Sequence, residues 1–265
     1  NSIASGGNQN VVVGDEAGTA ITTGDSNVAI GYEAGKAITT GTVNTFVGYA
    51  SGDATTTSGN NVGVGYASLT TNILSSKNVA LGNNALKTHN LASAGDGLNV
   101  AVGHGAGEEV TTGTLNTFIG SLVGDATTTG SFNTSVGYSS LGANTTASYS
   151  TAVGHMALSS NTTGSGLVAL GNRCLQENTT GGNNVAAGSN SLRENTTASA
   201  NTAFGGEALR ANTTGTQNTA VGYNALNDNT TANDNTAVGY ITLDTVTTGS
   251  FNTCVGSGAG TATTT

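Results

Sequence analysis

The sequence predicts an all-β fold, a parallel β-solenoid (β-roll) of about fifteen 17-residue coils. Three observations predict it. One glycine-centred phrase recurs at a fixed interval, small and large residues alternate around that glycine, and no proline occurs in 265 residues. The interval sets the coil and the alternation sets its strand. The missing proline leaves nearly every backbone N–H free to donate to a ladder.

The phrase glycine stands at Gly14, Gly31, Gly48, Gly65, Gly82, Gly103, Gly120, Gly137, Gly154, Gly171, Gly188, Gly205, Gly222, Gly239 and Gly256. Thirteen of the fourteen intervals are 17 residues and one, Gly82 to Gly103, is 21. Seventeen residues are too few for a helical hairpin or a propeller blade. They suit one solenoid coil, whose perimeter stays under roughly 56 Å at about 3.3 Å per residue. The chain therefore reads as a single repeat domain, 1–265, with one four-residue insertion within 83–102, in KTHNLASAGDGLN (87–99).

Along one coil the elements follow in order. Four residues before the glycine stands Asn, in thirteen of fifteen copies, with Ser150 and Leu167 the exceptions. Then come Val or Thr, a mostly small residue (Val12, Phe46 and Phe118 are the large ones), and an apolar residue directly before the glycine. This T-A-V-G alternation is a short strand. In the copy 218–240, NTAVGYNALNDNTTANDNTAVGY, Val221 and Leu226 are expected to fill the interior. The N-T-T-G stretch that follows carries turn residues and a glycine suited to positive φ. Leu four after the motif glycine usually accompanies Asn seven after it, as in Leu141 with Asn144. Gly at the same place accompanies Ile, Val or Thr, as in Gly18 with Ile21 or Gly107 with Val110. Leu86 with His89 and Leu243 with Val246 depart from this rule. Volume compensation accounts for the pairing, one apolar group filling a pocket from either of two places.

Composition narrows the function classes. A net charge of −9 gives no basic footprint for nucleic acid and no polybasic patch for a membrane surface. No run of about 18 apolar residues is present, so no membrane insertion is expected, and NSIASGGNQN lacks the basic and apolar regions of a signal peptide. Cys174 and Cys254 have no metal or disulfide spacing and read as small buried fillers. With few large apolar residues per coil, the core is thin, and a further buried surface is expected from self-association as a homotrimer.

The phrases NVAIG (27–31), NVALG (78–82), NTAVG (218–222, 235–239) and NTFIG (116–120) resemble the head repeats of trimeric autotransporter adhesins. The longer NTAVGYxAL…NTTG form is similar to the repeat arrays of phage tail-fibre proteins. The resemblance covers nearly the whole chain. It implies a left-handed parallel β-roll, three chains side by side, exposed on a surface. The 17-residue coil is somewhat longer than that of the adhesin heads, and no coiled-coil stalk, membrane anchor or chaperone domain is visible.

Catalytic chemistry needs a nucleophile, base and orienting group together, and none is evident. His104 and His155 occupy the place after the motif glycine, three rungs or about 14 Å apart, and read as solvent-facing variation; His89 is the third histidine. Neither a phosphate-binding GxxxxGK[ST] nor the calcium nonapeptide occurs, and Asp53 and Asp125 in GDATTT read as corner residues. No catalytic residue, cofactor or metal site is assigned. Asn144, Asn161, Asn178, Asn195, Asn212 and Asn229 each begin Asn-Thr-Thr, formally glycosylation acceptors but also the corner of the repeat. Tyr32, Tyr49, Tyr66, Tyr138, Tyr223 and Tyr240 share the place after the motif glycine. Consecutive copies would form aromatic ladders about 5 Å apart, which stabilise a parallel sheet or contact a glycan. The insertion is read equally as a recognition loop or as drift.

The expected function is a non-enzymatic extracellular fibre or adhesin segment, a shaft on a virion tail fibre or cell surface that projects receptor binding toward a host glycan or receptor. The alternative is a filament subunit stacking head-to-tail, since the sequence stops mid-phrase at Thr265 and open solenoid ends expose unpaired backbone. An ice-binding threonine face is the third reading. The pairs are adjacent, so their side chains would point opposite ways in a strand, which counts against it.

Overall fold

The structure, a computed structural model, describes residues 7–261, and among them there is no helix. The first six residues and the terminal phrase at Thr265 lie outside the described residues. The chain divides between Asn133 and Thr134 into two compact units.

In the first unit the strands are β1 (Val11–Val13), β2 (Val28–Ile30), β3 (Thr45–Val47), β4 (Val62–Val64), β5 (Ser75–Ser76), β6 (Val79–Leu81), β7 (Gly95–Asp96), β8 (Val100–Val102) and β9 (Thr117–Ile119). The second unit holds β10 (Thr134–Val136), β11 (Thr151–Val153), β12 (Val168–Leu170), β13 (Val185–Ala187), β14 (Thr202–Phe204), β15 (Thr219–Val221), β16 (Thr236–Val238) and β17 (Thr253–Val255). Within each unit every motif strand pairs in parallel with the next at the spacing of the repeat: Val28 faces Thr45 and Thr202 faces Thr219. Across the insertion β6 pairs with β8, Val79 facing Val100, and the extra residues add a second small ladder, β5 with β7. The fold is thus the parallel β-solenoid of about fifteen coils that the repeat predicts, with one three-residue strand per coil.

Each three-residue strand turns its central residue inward, and from β2 to β16 that residue is buried. Ala29, Phe46, Ala80, Ala152 and Ala220 face inward with no exposed surface, while their neighbours on either side face out. The expectation that Val221 fills the interior is therefore corrected: Ala220 does, and Val221 is 37% exposed. The cause is the short perimeter. Opposite walls lie so close that the central strand position admits a methyl group in most coils, so the larger residue takes the outer side of the pleat. Leu226 is buried as expected.

The larger central side chains, Phe46 and Phe118, are accommodated by glycine across the interior. A Cβ on Gly52 would lie 2.4 Å from the Phe46 ring, and one on Gly124 would lie 2.5 Å from Phe118. Gly35 leaves room for Ile38 in the same way, at 2.7 Å. The volume compensation read from the sequence is a physical contact, and it includes the strand position as well as the two corner positions.

Asparagine supplies the remaining interior. In the first unit the Asn ahead of each strand stacks on the one before it. The backbone N–H of Asn27, Asn44, Asn61, Asn78, Asn116 and Asn133 donates to the preceding Asn Oδ1 at 2.8–3.0 Å. The Asn of the Asn-Thr-Thr corners is a second, equally buried ladder. In the second unit the Nδ2 of Asn178, Asn195, Asn212 and Asn229 donates to the previous coil's Oδ1 at 2.7–3.0 Å. Where a coil has both, the two amides converge on one carbonyl. Asn201 and Asn212 both donate to Gly215 O, at 2.8 and 3.0 Å, and Asn218 and Asn229 both donate to Ala232 O, at 2.8 and 3.2 Å. Buried amides are kept because nearly all of them find partners.

Two corner readings are corrected. The glycine of Thr-Thr-Gly (Gly24, Gly41, Gly164, Gly215) does not adopt positive φ; that conformation belongs to the motif glycine and to residues two, four and twelve after it. Even Val43 and Ile241 adopt it, at φ 60° and 52°. The two threonines of a pair also do not point to opposite sides of the wall. They sit on a bend; the first is partly buried or exposed, the second exposed, and the first hydroxyl donates to the next coil's carbonyl, as from Thr162 to Thr179 O at 3.0 Å. The geometric objection to an outward threonine face is thereby removed.

The second ladder ends abruptly at Val246, leaving Asn229 Oδ1 buried without a partner. V246N should place Nδ2 within reach of that oxygen, as in the five coils before it, and raise the free energy of unfolding by about 1 kcal/mol. Denaturant unfolding checks this, and a destabilised variant would contradict the ladder's role.

Candidate functional site

The outer surface of a coil sorts its chemistry by position. Residues one and three before the motif glycine alternate with the buried one and stand on the outer pleat of the sheet. In all fifteen coils the position one before is apolar and the position three before is Val or Thr, and neither ever carries a charge. In the first unit the inner of these files runs Val13, Ile30, Val47, Val64, Leu81, Val102, Ile119. In the second it runs Val136, Val153, Leu170, Ala187, Phe204, Val221, Val238, Val255. All are at least partly exposed; Phe204, the largest, is 45% exposed. Spacing alone did not reveal this file, because an apolar residue in a strand is ordinarily assigned inward. The available signal was the neighbouring position's restriction to small residues.

Charge collects elsewhere on the coil. Sixteen of the twenty-one charged residues stand two, five or six after the motif glycine. Ion pairs link successive coils there: Lys36 bridges Glu16 and Glu33, Lys87 reaches Glu108 at 3.2 Å, and Arg210 lies 3.3 Å from Glu207 and 3.7 Å from Glu194. These surface pairs contribute little to stability individually. Asp53 and Asp125 are half-buried in the same rows, and burial raises both carboxyls above the usual range.

The six tyrosines form three short files. Tyr32, Tyr49 and Tyr66 stack with ring centroids 5.2 Å apart at each step and planes within 20°. Tyr223 stacks on Tyr240 at 5.9 Å, and Tyr138 on His155 at 5.6 Å. Each ring in a file turns its faces toward its neighbours along the ladder, so edges and phenol oxygens form the outer row. The charges of Glu33 and Glu16 hold the Tyr32 phenol above its usual range. His155 and His104 are exposed.

Other candidates separate. Asn144, Asn161, Asn178, Asn195, Asn212 and Asn229 have no exposed surface, so no glycan can be attached to them in the folded chain. Cys174 is buried, its thiol pushed up to about 12 by burial, and Cys254 is partly buried against the same core; neither forms a disulfide. Among the described residues no pocket opens and no group of three or more His, Cys, Asp or Glu side chains converges.

No family model, curated protein or solved structure matches the chain.

Proposed function

We propose that the chain is a non-enzymatic, self-associating segment of an extracellular fibre or adhesin, such as the shaft of a phage tail fibre. The observation that carries this reading is the uncharged apolar file repeated on the outer face of every coil. Soluble monomers rarely leave a contiguous apolar strip of this kind in water. A partner covering it must match a repeat of about 4.8 Å per coil over many coils, and a second copy of the same chain has that period by construction. The number three and the left-handed coil sense come from the resemblance to adhesin heads. The buried amide ladders fit a mechanical role, since within each unit they tie successive rungs together.

The tyrosine files are the proposed contact for a host glycan or receptor. Tyr49→Ala should reduce binding to glycan-bearing cells at least several-fold while leaving the circular dichroism spectrum unchanged. Unchanged binding with the fold intact would confine the files to sheet stabilisation.

A further inference from the structure

The coils of Gly65 and Gly82 depart from the repeat in three ways at once. Where neighbouring coils place two threonines at the corner, the first of these has Ile73 and Leu74; the second carries the insertion; and His89 takes the interior place of an Asn or aliphatic residue. His89 has no exposed surface. Its Nε2 lies 2.8 Å from Ser75 Oγ and 3.4 Å from Asn99 Nδ2. Asn78 Nδ2 donates to Ser75 Oγ at 2.9 Å, so the Ser75 hydrogen is left for the imidazole. Nε2 is thereby assigned as an acceptor and carries no proton. Nδ1 is buried with no hydrogen-bond partner, and the Thr111 backbone lies near the ring.

The insertion closes over this cluster. A Cβ on Gly97 would lie 2.6 Å from His89 Nε2 and 2.4 Å from Ser75 Oγ, so its backbone lies directly on both. The segment is held by the β5–β7 pair, by Gly97 N–H donating to Ser76 O at 2.8 Å, and by the Lys77–Asp96 ion pair at 2.6 Å. Here the first asparagine ladder is stretched: Asn99 N–H reaches Asn78 Oδ1 at 3.2 Å, longer than the other steps of that unit.

We propose that residues 90–98 are a strap that opens on acidification, with His89 as its latch. A proton on Nε2 removes the acceptor that Ser75 and Asn99 address and leaves a charge beside groups none of which is ionisable. The charged side chains of the adjoining coils offer no counter-ion: Lys77 is engaged with Asp96 and Lys87 with Glu108 on the outside, and Glu109 makes no contact with the ring. Opening the strap hydrates the imidazolium.

Burial holds His89 at about 4, below the ordinary 6.5. The opened strap binds a proton near 6.5 and the closed one only near 4, so closure weakens as pH falls through that window and levels off below it. Opening should rise by up to roughly 300-fold from one end to the other.

Hydrogen exchange of residues 90–98, corrected for the intrinsic pH dependence of exchange, tests this between pH 7 and 4. The wild-type opening equilibrium should climb across the window. His89→Asn, which restores the residue found at Asn72 one coil earlier, should be flat, and His89→Gln serves if that variant does not fold. Asp96→Asn should raise opening at every pH and keep the slope. A wild-type strap whose opening is independent of pH, or a His89→Asn variant that retains the slope, would overturn the proposal.

Discussion

Gly154→Ala should prevent cooperative folding of the second unit, or cost it more than about 4 kcal/mol. Gly154 adopts φ +140°, a conformation that essentially only glycine tolerates. A Cβ there would also lie 2.3 Å from Gly171 O and 2.6 Å from its carbonyl carbon. Both atoms belong to the backbone of the next coil, which is fixed by its own ladder, so neither can retreat without breaking the stack. Gly164→Ala is the control. Its Cβ would meet Gly181 O at an equally short 2.3 Å, yet Ala147, Ala198 and Ala232 occupy the equivalent place in other coils. Because φ is not positive there, the corner relaxes, and the cost should stay near 1 kcal/mol or below. Chemical denaturation of the two variants separates the cases. A Gly154→Ala protein within 1 kcal/mol of wild type would show that the stacked coils are looser than these contacts allow.

The second large effect concerns association. Phe204→Lys combined with Val221→Lys puts two charges on adjacent rungs of the apolar file, on outer positions where the coil itself has room for them. Each would be buried without a partner in an assembly that covers this face, at several kcal/mol apiece. Self-association should weaken at least 100-fold while the β signature in circular dichroism persists. Thr197→Lys, on the exposed threonine corner, should leave association unchanged. Equal loss in both proteins would indicate that the covered face is not the strand face.

Most of the fold was legible because a repeat compares a chain with itself. The interval gave the coil, the recurrent Asn gave the first ladder, and the alternation of Leu and Gly four residues after the motif glycine gave the contact now seen between Gly35 and Ile38. Three features were misread for physical reasons. Val221 was assigned inward by the usual preference of apolar residues, but a coil this narrow admits Ala220 instead. Asn212 before two threonines reads as a turn residue, and its role as a buried ladder is visible only through its pairing with Leu209. The left-handed backbone at residues such as Val43 leaves no mark in composition, because stacking of neighbouring coils imposes it against local preference. The tyrosine files were legible in position and spacing, whereas the direction of their ring faces depends on rotamers that no spacing encodes.

Sedimentation equilibrium of the wild-type chain at micromolar concentration tests the covered strand face most directly. A discrete assembly of three chains, with no monomer detectable and with dissociation only on unfolding, is the predicted result. A monodisperse monomer that unfolds cooperatively would contradict it, since the apolar file would then stand in water without cost to the fold.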